Sequence, residues 1–162
     1  MNIFKKIFSV CLVAAIPLIG AGTASAADDK ATVQTFYDLL SNPASAAAAK
    51  TFSTNTSDDW ESIGNYSGKN KTKEAFLGQM GYFAKLIPDL KWNVEEMIQS
   101  ENRVVVRSRA TGIPKGPLFG VDGKGKGFDI MTIDIHTIEN GKITKTYHIE
   151  DWAGALGQLK GK

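Results

Sequence analysis

The chain has 162 residues, with 19 Lys and Arg against 17 Asp and Glu, two His and a single Cys. That length is enough for one domain with a sizeable core, and one cysteine cannot build a disulfide framework. The near-neutral balance gives no footing for a nucleic acid or an anionic membrane surface as partner.

The chain opens with an export pattern. Lys5 and Lys6 precede an apolar run from Ile7 to Gly20, and small residues then lead to Ala24-Ser25-Ala26, an A-x-A cleavage pattern. The run is shorter than the roughly 20 residues of a membrane span, and Pro17 interrupts it. A cleaved signal peptide over residues 1–26 is expected, with a periplasmic or secreted product that has no membrane attachment afterwards. Cys11 leaves with the signal, so residues 27–162 form one domain with no thiol nucleophile. The two lysines leave as well, so the charges that remain balance at 17 each.

Val33, Phe36, Tyr37 and Leu40 recur at helical spacing and predict a helix from about Asp29 to Leu40. Pro43 and the alanines that follow predict a second, from about Pro43 to Phe52. Phe76, Met80, Phe83 and Ile87 predict a third, from about Thr72 to Ile87, ended by Pro88. The period then changes to two. Strands are expected over Trp92 to Ile98 and Val104 to Ala110, the second with Arg103, Arg107 and Arg109 on its wet face. A glycine-rich loop from Gly112 to Gly127 follows, read as a mobile segment and a lid over the pocket mouth. Phe128 to Glu139 and Lys142 to Ile149 make a hairpin about Asn140-Gly141, and a terminal helical turn is expected from Trp152. Helices followed by antiparallel strands read as α+β, with helices covering one face of a curved sheet.

A plain two-residue loop at Asn140-Gly141 sets Glu139 opposite Lys142 and Asp134 opposite Tyr147. Asp134, His136, Tyr147, Ile149 and Asp151 then share one side with Phe128 and Ile130, while His148 lies on the other with Met131 and Ile133. Both sides are rich in apolar groups, which points to a second copy of the chain as cover and hence to a homodimer. Ionisable groups on an apolar wall are where burial brings pKa values towards neutrality. Asp151, Asp134 and Tyr147 are therefore candidates for proton transfer, although Asp151 also suits a helix N-cap. No metal is expected, because two histidines without a third ligand do not make a zinc site. The Gly120–Gly127 stretch lacks both the Ser or Thr and the helix that a phosphate loop needs.

Five stretches in order resemble one family. Leu86 to Met97 is similar to the "FPDL-x-W-x-V-E-x-M" stretch of SnoaL-like polyketide cyclases, also known as ester cyclases. Arg103 to Arg107, then Ala110-Thr111-Gly112 with Gly116 to Gly120, resemble the next pieces. Asp134 to Ile143 resembles "D-I-x-R-I-x-D-G-K-I", and Tyr147 to Trp152 with Gln158-Leu159 resembles the closing "W-H-x-E-D-W … Q-L". Where the family has a T-H-x-G histidine, this chain has Ile113-Pro114-Lys115-Gly116. The resemblance implies a nuclear transport factor 2-like cone, a curved antiparallel sheet wrapped around N-terminal helices and a deep apolar pocket, commonly as a dimer. It implies cofactor-independent acid/base chemistry, of cyclase or isomerase type, on a small apolar carbonyl compound. By position Asp151 takes the proton-carrying role, with His148 beside it in the closing motif; together with the hairpin reading this leaves His148, Asp134 or Tyr147 to assist. Trp92, Phe119, Phe128, Ile130, Ile149 and Trp152 are the expected pocket lining. The other use of such a fold is binding a small apolar ligand without turnover.

Overall fold

The computed structural model describes residues 26–162. The expected export signal lies outside the described residues but for Ala26. Helix α1 (Ala26–Ser41) places Asp28 and Asp29 in its first turn, where they oppose the positive end of the helix dipole. Its predicted apolar face is fully buried through Val33, Phe36, Tyr37 and Leu40. Helix α2 (Ala46–Asn55) is opened by Ser45 rather than Pro43. The Ser45 hydroxyl accepts the Ala48 N–H at 3.2 Å, and Pro43 stands in the preceding turn.

Strand β1 (Thr56–Ile63) follows α2 without a break, and a short β2 (Lys71–Thr72) pairs with it. Neither was expected, because Trp60 and Ile63 are the only large apolar residues in that stretch. Thr72 caps helix α3 (Lys73–Leu86) by accepting the Ala75 N–H at 3.2 Å. Then come β3 (Lys91–Ser100), β4 (Arg103–Gly112), β5 (Phe128–Glu139), β6 (Lys142–Glu150) and helix α4 (Trp152–Lys160). The expected terminal turn is thus a full helix. The six strands form one sheet in the order β2-β1-β6-β5-β4-β3. Strand β1 runs parallel to β6, so the sheet is mixed rather than wholly antiparallel.

Side chains tie α1 along the inner face of this sheet. Ser41 Oγ donates to the Trp92 carbonyl at 3.0 Å and accepts the Trp92 N–H at 2.9 Å, while Lys30 Nζ donates to the Met97 carbonyl at 3.0 Å. Inside, Phe36 stacks on Phe76 at 5.3 Å between centroids, and Phe52 and Trp60 close the cluster edge-on at 5.4 Å. Each such ring contributes a few kcal/mol by leaving water, roughly 1.5–3 kcal/mol apiece.

Two bulges decide which side chains face inward. Asn140 and Gly141 both have positive φ, at 52° and 73°, as a two-residue primed turn requires, and Glu139 does face Lys142. The register then shifts between Thr137 and Ile138, so from there Asp134 pairs with His148 and His136 with Thr146. The expected pairing of Asp134 with Tyr147 is therefore corrected by one residue. A single extra residue on β6 reverses every later side chain. His148 turns inward beside Asp134, while Tyr147 and Ile149 turn outward, Ile149 being 70 % exposed. A second bulge, between Val94 and Glu96, does the same to β3. Met97 packs on the core in place of Ile98, which is 54 % exposed. On β4 the expected alternation holds, with Val104, Val106, Ser108 and Ala110 buried and Arg103, Arg107 and Arg109 exposed.

Candidate active site

The inward side of β5 and β6 carries a polar core set among aromatics. Thr146 and His136 face each other across the hairpin, and Tyr37 reaches them from α1. Four hydrogen bonds run in line. Trp60 Nε1–H donates to Thr146 Oγ1 at 3.1 Å, Thr146 Oγ1 meets His136 Nδ1 at 3.0 Å, His136 Nε2 meets Tyr37 Oη at 3.0 Å, and Tyr37 O–H donates to Asp134 Oδ2 at 2.8 Å. One assignment of hydrogens satisfies all four. The tryptophan N–H has a fixed direction, so the threonine O–H points to Nδ1, the histidine proton sits on Nε2, and the tyrosine proton goes to the carboxylate.

Burial sets the proton affinities along this row. His136 is wholly buried, which pushes its imidazole pKa down to about 3, and neighbouring His148 adds to the fall. It is therefore a neutral ring at all ordinary pH. Desolvation lifts the Tyr37 hydroxyl well above its usual range, and the Asp134 carboxylate adds to this. Asp134 is 3 % exposed. Loss of water raises its carboxyl to about 7, against the opposing pull of the Tyr37 hydrogen bond, and Glu150 adds to the rise.

Asp134 Oδ2 is committed to Tyr37, and among the described residues no donor meets Oδ1. The carboxyl borders a small internal cavity of about 20 Å³, room for a single water. His148 and Glu150 border it from β6, Lys71 and Ser62 from the β1–β2 side, and Gln79 and Met80 from α3. His148 Nδ1 stands 2.9 Å from Glu150 Oε2, which fixes the ring orientation and places the Nδ1 proton. The Lys71 ammonium is half-buried, and that burial lowers its pKa against the attraction of Glu150. The Oε1 of Gln79 is buried without a protein partner. Among the described residues no three His, Cys, Asp or Glu side chains gather closely enough to hold a metal ion.

The structure brings two of the four candidate catalytic residues together. Asp134 and His148 are directly paired at the cavity. Tyr147 points away from it. Asp151 is exposed at the N-terminus of α4, where its Oδ1 accepts the Gly154 N–H at 2.8 Å. A carboxylate held there in water has the helix end as its partner and no apolar wall. Of the expected lining residues Trp92 alone borders the cavity, its indole N–H bonded to Thr132 Oγ1 at 3.1 Å. Phe119 and Phe128 instead each pack against Trp152 of α4, Ile130 is buried without bordering the cavity, and Ile149 faces outward. The glycine-rich loop, expected as a lid, stands away from this cavity. Gly123 lies against Leu159 of α4, and no residue of the loop borders the cavity.

Sequence reading missed Tyr37, Gln79, Lys71 and Glu150. Tyr37 sits on a helical apolar stripe and looks like core. Glu150 carried a signal, because it lies two residues from His148 on one strand and so must share its face.

Comparison with known proteins agrees with this architecture. The fold is shared with TsrD from Streptomyces laurentii, at a TM-score of 0.73 and 18 % identity, covering 86 % of this chain and 100 % of that one. Wild-type IdmH from Streptomyces antibioticus, a candidate polyketide cyclase, superposes at a TM-score of 0.70 with 20 % identity over 82 % of this chain and 98 % of its own. A Catenulispora acidiphila protein with a ketosteroid isomerase-like fold, solved in complex with trimethylamine, follows at 0.62 and 15 %, covering 80 % and 92 %. No curated protein matches the chain at a significant level. The model of the SnoaL-like polyketide cyclases matches residues 31–159, nearly everything from the middle of α1 to the end of α4, and to that family the chain belongs.

Proposed function

We propose that this protein is a cofactor-independent acid/base catalyst that moves a proton on a small, largely apolar, enolisable carbonyl compound. The observation that carries the reading is Asp134, a buried carboxyl brought to about 7, with Oδ2 held by Tyr37, at a cavity that His148 also borders. A group with that affinity is part ionised at neutral pH, so it can take a proton from carbon and give it back. In the forward half, Asp134 Oδ1 accepts the proton alpha to the carbonyl, and the electrons of that C–H bond move into the enolate. The Lys71 ammonium, which borders the same cavity, offsets the charge of the developing enolate, and His148, oriented by Glu150, stands beside it. In the second half the enolate carbon either regains the proton from Asp134, an isomerisation, or attacks a second carbonyl of the same molecule, a cyclisation. In the cyclisation the new alkoxide takes up the proton that Asp134 holds. The walls of Phe36, Phe76, Phe83 and Trp92 keep bulk water from the carboxyl.

The same reading takes the protein to be exported, on the pattern of residues 1–26, and to pair with a second copy. The outer side of the sheet leaves Met131 60 % and Ile133 36 % exposed, and such a patch suits a self-complementary interface.

Hydrogen–deuterium exchange tests the function. In D₂O the protein should speed α-deuteration of simple aryl ketones and β-diketones, with a rate rising through about pH 7, and Asp134→Asn should remove the effect. Saturable binding of the same compounds without any exchange would overturn the catalytic reading and leave a ligand-binding protein.

A further inference from the structure

The cavity at Asp134 has room for about one water, so the body of an organic ligand must lie elsewhere. The wall beside His148 offers the place. Strands β1 and β6 stay paired as far as Ile63 and Tyr147. There β1 ends, and the chain leaves through Gly64, Asn65 and Tyr66, so the edge of β6 from His148 onward has no β1 neighbour. A groove of about 300 Å³ lies in that gap, between residues 63–66 on one side and 147–149 on the other. Tyr66, 96 % exposed, and Ile149 give it uncovered apolar surface.

Among the described residues, His148 alone borders both this groove and the inner cavity. Gly64 makes that possible. A Cβ at position 64 would stand 2.9 Å from His148 Nε2, closer than side-chain carbons come to such an atom, so any larger residue would press on the ring. Glu150 takes the other nitrogen, and among the described residues nothing bonds Nε2. With Nδ1 committed to Glu150, Nε2 is the ring atom left to accept a hydrogen bond from a ligand.

We propose that the groove is a binding site for a small, flat, largely apolar molecule bearing a phenolic or enolic hydroxyl, which donates its hydrogen bond to His148 Nε2. A volume near 300 Å³ is at the lower end of ligand sites and suits a bicyclic skeleton. An enol is also what an enolisable carbonyl becomes, so the groove would hold the body of a substrate while only its reacting end passes His148. That last role rests on the acid/base reading, whereas the binding itself does not.

The test uses 2-naphthol, with naphthalene as the same skeleton without the hydroxyl. Fluorescence titration of the full chain should show one site for 2-naphthol, about tenfold tighter than for naphthalene, the weight of one hydrogen bond. His148→Ala should remove the difference, and Gly64→Val should weaken both compounds. A second readout needs no variant. The chain has two histidines and His136 is wholly buried, so diethyl pyrocarbonate at pH 7 should modify His148 alone, and 2-naphthol should protect it. Equal binding of the two compounds, or modification of His148 unaffected by saturating 2-naphthol, overturns the proposal. So does protection that rises with protein concentration in the absence of ligand, because then a second copy fills the groove. Binding as described without any ketone exchange would count against the acid/base reading and leave the groove standing.

Discussion

The two sides of Asp134 are built on opposite terms. On one side every polar atom of the row Trp60, Thr146, His136 and Tyr37 has its partner, and all four are buried. On the other side, at the cavity, Gln79 Oε1 is buried without a partner, and the described residues give Asp134 a bond at Oδ2 and His148 one at Nδ1, leaving one atom of each for a ligand or water. Satisfied networks hold a core in one arrangement, whereas unfilled valences on buried groups cost stability and are kept where a ligand fills them. Asp134 belongs to both halves. The closed row fixes its position and hydrogen-bonding, and the open half uses the oxygen left over.

The largest expected effect breaks the open half alone. Asp134→Asn should reduce any proton-transfer rate by about 10²–10⁴-fold with little change in structure, because Asn can still accept from Tyr37. Next comes the pH dependence of stability. Between about pH 4 and 7 the unfolded chain ionises this carboxyl while the folded chain keeps its proton, so its contribution falls as pH rises. His136 acts in the reverse sense. Between about pH 3 and 6.5 the unfolded ring is protonated and the folded ring is not, so stability falls as pH drops. The two slopes cancel from about pH 4 to 6.5, and denaturant midpoints should be flat there. Asp134→Asn should uncover a slope that rises with pH over that interval, on the order of 3 kcal/mol in total. A midpoint that stays flat in the variant would contradict the pairing of the two shifts.

Breaking the closed half should cost stability first. Tyr37→Phe leaves the His136 Nε2–H and Asp134 Oδ2 buried without partners, at about 1–3 kcal/mol. It should also raise the midpoint of the Asp134-dependent rate, because the lost hydrogen bond favours the ionised form. Equilibrium denaturation and a pH–rate profile measure these separately.

The smallest effect marks what lies outside both halves. Asp151→Ala removes the α4 cap and should cost about 1 kcal/mol in thermal unfolding, with ketone exchange unchanged. Loss of exchange there would move the proton carrier to the C-terminal helix.

This comparison also explains how much could be read from the sequence. The β4 and β5 alternation was legible, because each strand keeps a strict period of two with one apolar face, and Asp134 and His136 fall on the expected side; but the place of His136 near the open end of the hairpin suggests an exposed ring, and it is wholly buried. The partners on β6 were not. The Asn140-Gly141 turn fixes only the first two pairs, and the bulge that follows has no residue signature in Ile143-Thr144-Lys145. One inserted residue exchanged Tyr147 for His148 at the cavity and made Glu150, rather than Asp151, the neighbouring carboxylate. Strand β1 escaped notice for another reason. Its polar residues Ser57, Asp58, Asp59 and Glu61 conceal a strand that inserts Trp60 and Ser62 into the interior, and pairing with β6, far along the chain, and with β2 defines it.

The account stands on the proton affinity of one buried carboxyl. Carbon-13 NMR of the Asp134 carboxyl, assigned by Asp134→Asn, measures it directly in a pH titration. A midpoint near 7, moved upward in Tyr37→Phe, is the result expected. A midpoint at the ordinary 3.8 would mean that water reaches the group freely, and would contradict the central claim.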